Sequence, residues 1–323
     1  MLIQTSFIGD VILATSALES LHQNQPKAKI DVLVRKGNES LFEDHPFINR
    51  VLVWNKTQSK NARLIQLAFE VRKNQYDLVV NLHRYASSGF ITALSGASHK
   101  AGFRKNPLHV FFTHVCKHQI NGRHEIQRNY DLIAPFCQTT HPEKPRLYPT
   151  EQQIKRIESF TTEPFCVIAP SSVWFTKQWP AEKWMELIKH IPESEKIVLI
   201  GAPNDHEYCE KIMTESKHPK IINLAGKLSL LESAALMSKA EMNYVNDSAP
   251  LHLASAMNAP VTSIFCSTTP FFGFGPLSDV QVIAETKEIL DCRPCGIHGY
   301  DTCPKGHFKC ALNIKPEQVF INK

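Results

Sequence analysis

A chain of 323 residues is longer than one hydrophobic core ordinarily serves, and its 43% apolar and 21% charged residues are those of a folded globular protein, most simply in two domains. No apolar run approaches the roughly 18 residues of a membrane span, and the opening Met1-Leu2-Ile3-Gln4-Thr5 lacks the basic and apolar regions of a secretory signal, so a cytoplasmic location is expected. The net charge of +5 is uneven, because residues 1–150 carry 19 Lys+Arg against 11 Asp+Glu while the remainder carries 17 against 20.

Short β-branched runs alternate with segments of helical period, which is the pattern of an α/β protein with parallel sheets. In the first half, strands are predicted at 2–5, 30–34, 51–54 and 78–82. A helix over 10–22 would place Val11, Ala14, Leu18 and Leu21 on one face. Between the first strand and this helix lies Ser6-Phe7-Ile8-Gly9-Asp10. Gly9 would let another molecule approach closely, and Asp10 could take the proton of an attacking hydroxyl as a general base. An acid in a first helical turn is also favoured by the helix dipole, and from this segment alone capping is the simpler role.

The basic surface is densest over 99–128, where Lys100, Arg104, Lys105, Lys117, Arg123 and Arg128 face one acid, Glu125, among five histidines. This suits an anionic partner, a phosphorylated or acidic glycolipid as well as a nucleic acid. Neither a helix-turn-helix nor an RNA-binding aromatic signature accompanies it, and a solvated basic face would read the same way. Pro135, Pro142, Pro145 and Pro149 then break the pattern over 134–150, where the domain linker is placed. The expected domains are 1–150 and 151–323.

Strands in the second half are predicted at 165–169, 197–200, 221–224, 242–245 and 261–265. Two successive doubly wound units would bind ligands at the carboxyl ends of their strands, in a cleft between the domains. After the first of these strands, Ser171, Ser172, Thr176 and Lys177 supply donors and a cation suited to a diphosphate, with Pro180 opening the next helix and Trp179 available as a plain packing anchor. In Gly201-Ala202-Pro203-Asn204-Asp205-His206, Asp205 could hold ribose hydroxyls or simply close a solvated turn. In Asn246-Asp247-Ser248-Ala249-Pro250-Leu251-His252, a helix amino end could receive a phosphate and Asp247 could bind sugar hydroxyls, although Asp247 or Ser248 could equally cap the helix. No second ligand at helical spacing accompanies His252, which therefore reads as a hydrogen-bonding side chain rather than a metal ligand.

Cys292, Cys295, Cys303 and Cys310 cluster in a Gly/Pro/His-rich tail, away from these strand-to-helix turns. In a reducing compartment they suggest a structural zinc site, with reduced thiols or an iron-sulfur ligand set as alternatives. Cys116, Cys137, Cys166, Cys209 and Cys266 are scattered and expected to serve as small apolar residues. A Rossmann oxidoreductase would fit the pattern of elements, but no Gly-x-Gly-x-x-Gly follows the first strand. A non-enzymatic nucleic-acid-binding protein would rest on the basic run and the cysteines.

Taken in order, several segments resemble glycosyltransferase family 9, the lipopolysaccharide heptosyltransferases, over nearly the whole chain. They are Gly9-Asp10, Tyr76-Asp77-Leu78-Val79-Val80-Asn81-Leu82-His83, Ala101-Gly102-Phe103, Thr176-Lys177-x-Trp179-Pro180, Asn246-Asp247-Ser248-x-Pro250-x-His252-Leu253, and the cysteine tail ending in Ile314-Lys315-Pro316-Glu317-Gln318-Val319. The resemblance implies a GT-B fold of two Rossmann-like domains facing a cleft. It also implies inverting transfer without a catalytic metal, usually from ADP-heptose, to Kdo-lipid A or heptosyl-Kdo-lipid A at the inner face of the cytoplasmic membrane. A related transferase using another nucleotide sugar is the nearest alternative. By motif, Asp10 becomes the general base. Donor contacts fall to Ser171, Thr176, Lys177, Asp205, Asp247, Ser248, Ala249, Leu251 and His252, and acceptor contacts to Ser6, Gly9, His83, Arg84, Arg104, Lys105 and Arg128. The family commonly has Gly at the position of Ala249, where a methyl could restrict the backbone or the approach of phosphate.

Overall fold

The computed structural model describes residues 1–56, 60–120 and 122–320, and the chain divides into two compact units, Met1–Tyr148 and Pro149–Lys323. The first unit runs β1 (Leu2–Gln4), α1 (Ile8–Asn24), β2 (Ile30–Arg35), β3 (Ile48–Trp54), α2 (Lys60–Lys73), β4 (Leu78–Asn81), α3 (Ala86–Leu94), β5 (His99–Phe103), β6 (His114–Cys116) and α4 (Glu125–Asp131). All its strand pairs are parallel, in the order β3-β2-β1-β4-β5-β6, with Leu2 opposite Val32 on one side and Val80 on the other. This is the Rossmann order, which reverses direction between β1 and β4.

The second unit repeats the plan. It runs α5 (Glu151–Ile157), β7 (Phe165–Ala169), α6 (Ala181–Ile188), β8 (Lys196–Leu199), α7 (His206–Ser216), β9 (Ile221–Asn223), α8 (Leu230–Lys239), β10 (Met242–Asn246), α9 (Ala249–Ala256), β11 (Val261–Phe265), β12 (Gln281–Glu285), α10 (Lys309–Leu312) and α11 (Pro316–Val319). Its order, β12-β11-β10-β7-β8-β9, is again parallel throughout and reverses between β7 and β10. The fold is therefore α/β with two doubly wound sheets, as the alternation of elements leads one to expect.

Each sheet is buried on both faces, so its central strands are apolar almost without interruption: Phe165, Cys166, Val167, Ile168 and Ala169 of β7 are all buried. In the first unit Ile3, Leu33, Leu52 and Trp54 pack under Leu67 and Val71 of α2 and Ile91 of α3. In the second, Trp179 and Trp184 meet edge to face at 5.1 Å, and the core includes Ile314 and Val319 from the end of the chain. Trp179 is thus the packing anchor its loop suggested. Each such side chain contributes about 1.5–3 kcal/mol on burial. Cys166, Cys209 and Cys266 lie in this core as small apolar groups, whereas Cys116 and Cys137 are half-buried in the first unit.

Helix α1 starts two residues earlier than its apolar period indicates and is buried nearly all round, from Val11 to Leu18 and again at Ser20. The proline-rich segment explains this, because it runs along the helix: Ser16 Oγ donates to the Glu143 carbonyl at 2.5 Å, the Arg146 N–H to Thr15 Oγ1 at 3.0 Å, and Tyr148 OH to Glu19 at 3.0 Å. Among the described residues no helix is long and apolar enough to cross a membrane.

Candidate active site

In both sheets the main segments singled out in the sequence follow the two strands that flank the reversal, β1 and β4 in the first unit and β7 and β10 in the second, while Arg104 and Lys105 follow β5 and residues 201–206 follow β8. Loops at this point diverge to opposite faces of the sheet and leave a crevice at the strand ends, so side chains there are exposed to a ligand yet held by a rigid frame.

In the first unit, Ser6 and Phe7 turn the chain from β1 into α1, and Gly9 and Asp10 lie within the first helical turn. The N-cap is Phe7, whose side chain makes no capping bond, and Asp10 is the third residue of the helix rather than its N-cap. Its carboxylate instead accepts Ser6 Oγ–H at 2.8 Å and bonds the Phe7 backbone, the position from which a third helical residue reaches back to the cap. Withdrawal from water, reinforced by the Glu125 carboxylate, pushes Asp10 up to about 6, against the pull of Ser6, Arg84 and the Phe7 N–H. At neutral pH such a group is mostly ionised yet far more basic than an ordinary aspartate, which suits proton abstraction.

His83 and Arg84 follow β4 beside this turn. His83 is buried with Nδ1 3.2 Å from Thr5 Oγ1, and burial together with Lys56 and Arg84 lowers it to about 3, so it is neutral. Arg84 donates to His118 Nδ1 at 3.0 Å. His118 Nε2 lies 3.3 Å from Glu125, and Glu125 pairs with Arg128 at 2.6 Å. Burial would raise Glu125, but His118 and Arg128 outweigh it and bring the carboxyl down to about 2. Arg128 corrects the expectation placed on it. It is wholly buried, with its guanidinium also donating to the Gln119 and Arg123 carbonyls, so it holds α4 and its loop rather than facing an acceptor. Arg104 and Lys105 are exposed, directly after β5 at the same edge of the sheet as Asp10. A cation missed in the sequence, Lys56, sits just beyond β3 and donates to the Thr5 carbonyl at 2.7 Å.

In the second unit, a 3₁₀ turn over Phe175–Lys177 carries Lys177 Nζ to 2.8 Å from Asp247 Oδ2, with the two side chains only 15% and 7% exposed. Asp247 also accepts Thr268 Oγ1–H at 2.6 Å. Asn246, fully buried at the end of β10, braces both loops by accepting the Trp179 N–H at 3.0 Å and donating to the Pro170 carbonyl at 2.8 Å and the Ser171 carbonyl at 3.4 Å. The capping reading of Asp247 and Ser248 gives way, because Ser248 occupies the N-cap of α9 without a side-chain bond to the helix. Ala249 takes the first helical position, where an L-residue is unstrained, so its methyl does not distort the backbone. Leu251 and His252 are buried in the same helix, and His252 lies near the ring of Phe274 at 6.4 Å. Two donor candidates are engaged within the protein. Thr176 is buried, and Asp205 closes its own turn by accepting the Ala202 N–H at 2.7 Å.

The sequence profile of glycosyltransferase family 9 (heptosyltransferase) matches residues 64–296. The chain belongs to this family. It is a glycosyltransferase of the lipopolysaccharide heptosyltransferase group, 29% identical over 289 residues to lipopolysaccharide heptosyltransferase 3 of Escherichia coli, a match that covers 82% of this chain and 83% of that protein. A family 9 glycosyl transferase from Veillonella parvula shares its fold with a TM-score of 0.83 at 22% identity, over 98% of this chain and 93% of the other. The E. coli ADP-heptose lipopolysaccharide heptosyltransferase II gives 0.78 at 22% identity, over 98% and 95%.

The cysteine-rich tail of this family 9 enzyme departs from expectation twice. Among the described residues no group of three or more His, Cys, Asp or Glu side chains is placed to hold a metal ion, so the structure does not support the zinc site that the clustering of the four cysteines suggested. Cys295 Sγ turns back to the Cys292 carbonyl at 3.0 Å, Cys292 Sγ lies 3.7 Å from His307 Nε2, and Cys310 is buried, its thiol pushed up to about 11 by burial and by the neighbouring cysteines. Nor is the segment remote from the strand-to-helix turns. Arg293 donates to the Cys266 carbonyl at 2.7 Å and the Thr268 carbonyl at 2.7 Å, and the Thr176 N–H bonds the Tyr300 carbonyl at 3.0 Å. The carbonyls that Arg293 binds lie 25 to 28 residues upstream, beyond the reach of any local pattern, although its acidic partner Glu285 is only 8 residues away.

Proposed function

We propose that this enzyme transfers heptose from ADP-heptose to the inner core of lipopolysaccharide, on Kdo-lipid A or heptosyl-Kdo-lipid A, with inversion and without a catalytic metal. In this reading the first unit binds acceptor and the second binds donor. The observation that carries it is the environment of Asp10: a carboxylate raised to about 6 and steadied by Ser6, at the carboxyl end of β1. As the acceptor oxygen attacks the anomeric carbon, Asp10 takes its proton while the bond to the diphosphate breaks from the opposite side. A single displacement of this kind inverts the carbon.

The leaving ADP gathers negative charge. Lys177 and the amino end of α9 supply the positive potential to stabilise it, which supports metal-independent transfer. Asp247 would hold Lys177 and a sugar hydroxyl. Arg104 and Lys105 would engage phosphate or carboxylate groups of the acceptor and favour the anionic inner face of the cytoplasmic membrane, consistent with a cytoplasmic enzyme peripheral to it.

A donor screen tests the assignment: ADP-heptose against UDP-, GDP- and dTDP-sugars, with acidic lipid A precursors as acceptors. Acceptor-dependent release of ADP from ADP-heptose alone is expected, and release of a different nucleotide would assign another sugar. The acceptor role of the basic edge has its own measurement. Reversing Arg104 and Lys105 to Glu is expected to raise the acceptor KM about tenfold or more at low salt, with the donor KM nearly constant and the difference shrinking as salt screens it. Equal acceptor KM in variant and wild type at low salt would remove these residues from the acceptor site.

A further inference from the structure

We propose that the segment Arg293–Tyr300 is a positioning strap for the donor site, with Gly299 and Tyr300 as positioning residues that act through Thr176 on Lys177. This rests on the reading of Lys177 and Asp247 as the donor-binding pair. The strap is tied down at two points, and each point leads to one member of that pair.

The first tie is at Arg293 and Cys295. The Arg293 guanidinium donates to the carbonyls of Phe265 at 3.1 Å, Cys266 at 2.7 Å and Thr268 at 2.7 Å and pairs with Glu285, while the Cys295 N–H bonds the Ser267 carbonyl at 2.8 Å. These bonds fix the turn after β11 that carries Thr268, whose hydroxyl donates to Asp247. The second tie closes on the 3₁₀ turn that carries Lys177. Thr176 N–H donates to the Tyr300 carbonyl at 3.0 Å, the Tyr300 N–H returns to Thr176 Oγ1 at 2.8 Å, and Ser267 Oγ donates to the same Thr176 oxygen at 3.0 Å. Thr176 therefore works for the donor site from behind it, by anchoring its neighbour.

Gly299 is the position where side-chain volume would be felt. Its φ of +79° suits glycine, and a methyl there would stand 2.8 Å from Thr176 Oγ1, 3.1 Å from Lys177 Cγ and 3.3 Å from Ser267 Oγ. Gly306, in the same tail, has an equivalent φ of +69° but nothing within 4 Å of such a methyl. The two glycines separate backbone strain from pressure on Lys177.

The experiment titrates ADP into wild-type enzyme and the variants Gly299→Ala, Gly306→Ala, Thr176→Val and Lys177→Ala by calorimetry, and measures donor and acceptor KM separately. Gly299→Ala is expected to weaken ADP at least about tenfold and to raise the donor KM, with the acceptor KM unmoved. Gly306→Ala should stay within about twofold of wild type. Thr176→Val keeps the side-chain shape but removes the oxygen that receives Tyr300 and Ser267, and it should follow Gly299→Ala, serving in its place if the glycine variant does not fold. Normal ADP affinity in Gly299→Ala and Thr176→Val alongside loss in Lys177→Ala overturns the strap and spares the donor reading. Equal losses in Gly299→Ala and Gly306→Ala likewise overturn it, because backbone strain then suffices. Normal ADP affinity in Lys177→Ala overturns the donor reading, and the strap falls with it.

Discussion

Asp10→Asn is expected to lower turnover by about 10² to 10⁴-fold, the range of general acid-base catalysis, while leaving the melting temperature unchanged or raised. The two halves of that result come from the same environment. Folding raises the Asp10 carboxyl from 3.8 to about 6, so between those pH values the folded protein holds a proton that the unfolded chain has released. Stability from this group is therefore fully present below about pH 4, declines as pH rises towards 6, and is absent at neutrality, a penalty of about 1–3 kcal/mol. Asn cannot ionise and escapes the penalty while still accepting the Ser6 hydroxyl. The wild-type rate should also fall about tenfold per unit as pH drops below about 6, since only the ionised carboxylate accepts a proton. A helix-capping role makes the opposite forecast, namely a loss of up to about 1 kcal/mol with turnover preserved. A destabilised Asp10→Asn enzyme with full turnover would remove Asp10 from catalysis.

How much of this was legible beforehand depends on whether the signal was local. The strands at the centre of each sheet are buried on both faces and spell themselves out as apolar runs, and the loops that follow β1, β7 and β10 were found because they sit between such runs and helical periods. Three strands were not read. β6 and β12 lie at sheet edges, where solvent on one side leaves polar residues such as Gln281 and Glu285, and β5 opens with His99 and Lys100 inside what looked like a solvated basic run. Yet Gly102 of β5 is buried so tightly against Phe112 that a methyl would overlap its ring.

Arg128 was misplaced for a related reason. Summed charge cannot tell a solvated arginine from a buried one, although Glu125 three residues earlier was a visible partner at helical spacing. The roles of Arg293 and Thr176 were not legible locally, because the carbonyls that Arg293 binds are 25 to 28 residues away and the hydroxyl of Thr176 is met from 91 and 124 residues away. The four tail cysteines, of which only Cys295 lies within Arg293–Tyr300, drew attention to this region for a reason the structure does not support.

Lys177→Ala is expected to reduce turnover by about 10² to 10³-fold, because an ammonium facing charge that grows on the departing diphosphate stabilises the transition state more than the bound donor. The structure adds a second effect. Asp247 is nearly buried, and without Lys177 it keeps Thr268 but loses its cation, so the single variant should also lose about 2–3 kcal/mol of stability. A fall in turnover alone therefore leaves two explanations, a cation missing from the donor or a carboxylate left unneutralised beside it. The double variant Lys177→Ala/Asp247→Asn separates them. It removes both charges together and should recover most of the stability, read as a denaturation midpoint close to that of wild type. If Lys177 acts on the donor, turnover of the double variant stays low and ADP binding stays weak despite the restored fold. If Lys177 serves only to neutralise Asp247, activity returns with stability, and the negative charge on the leaving group must be met by the α9 amino end and other groups. Arg at 177 should rescue in part, since it restores the ion pair but presents a planar fork where a compact ammonium stood.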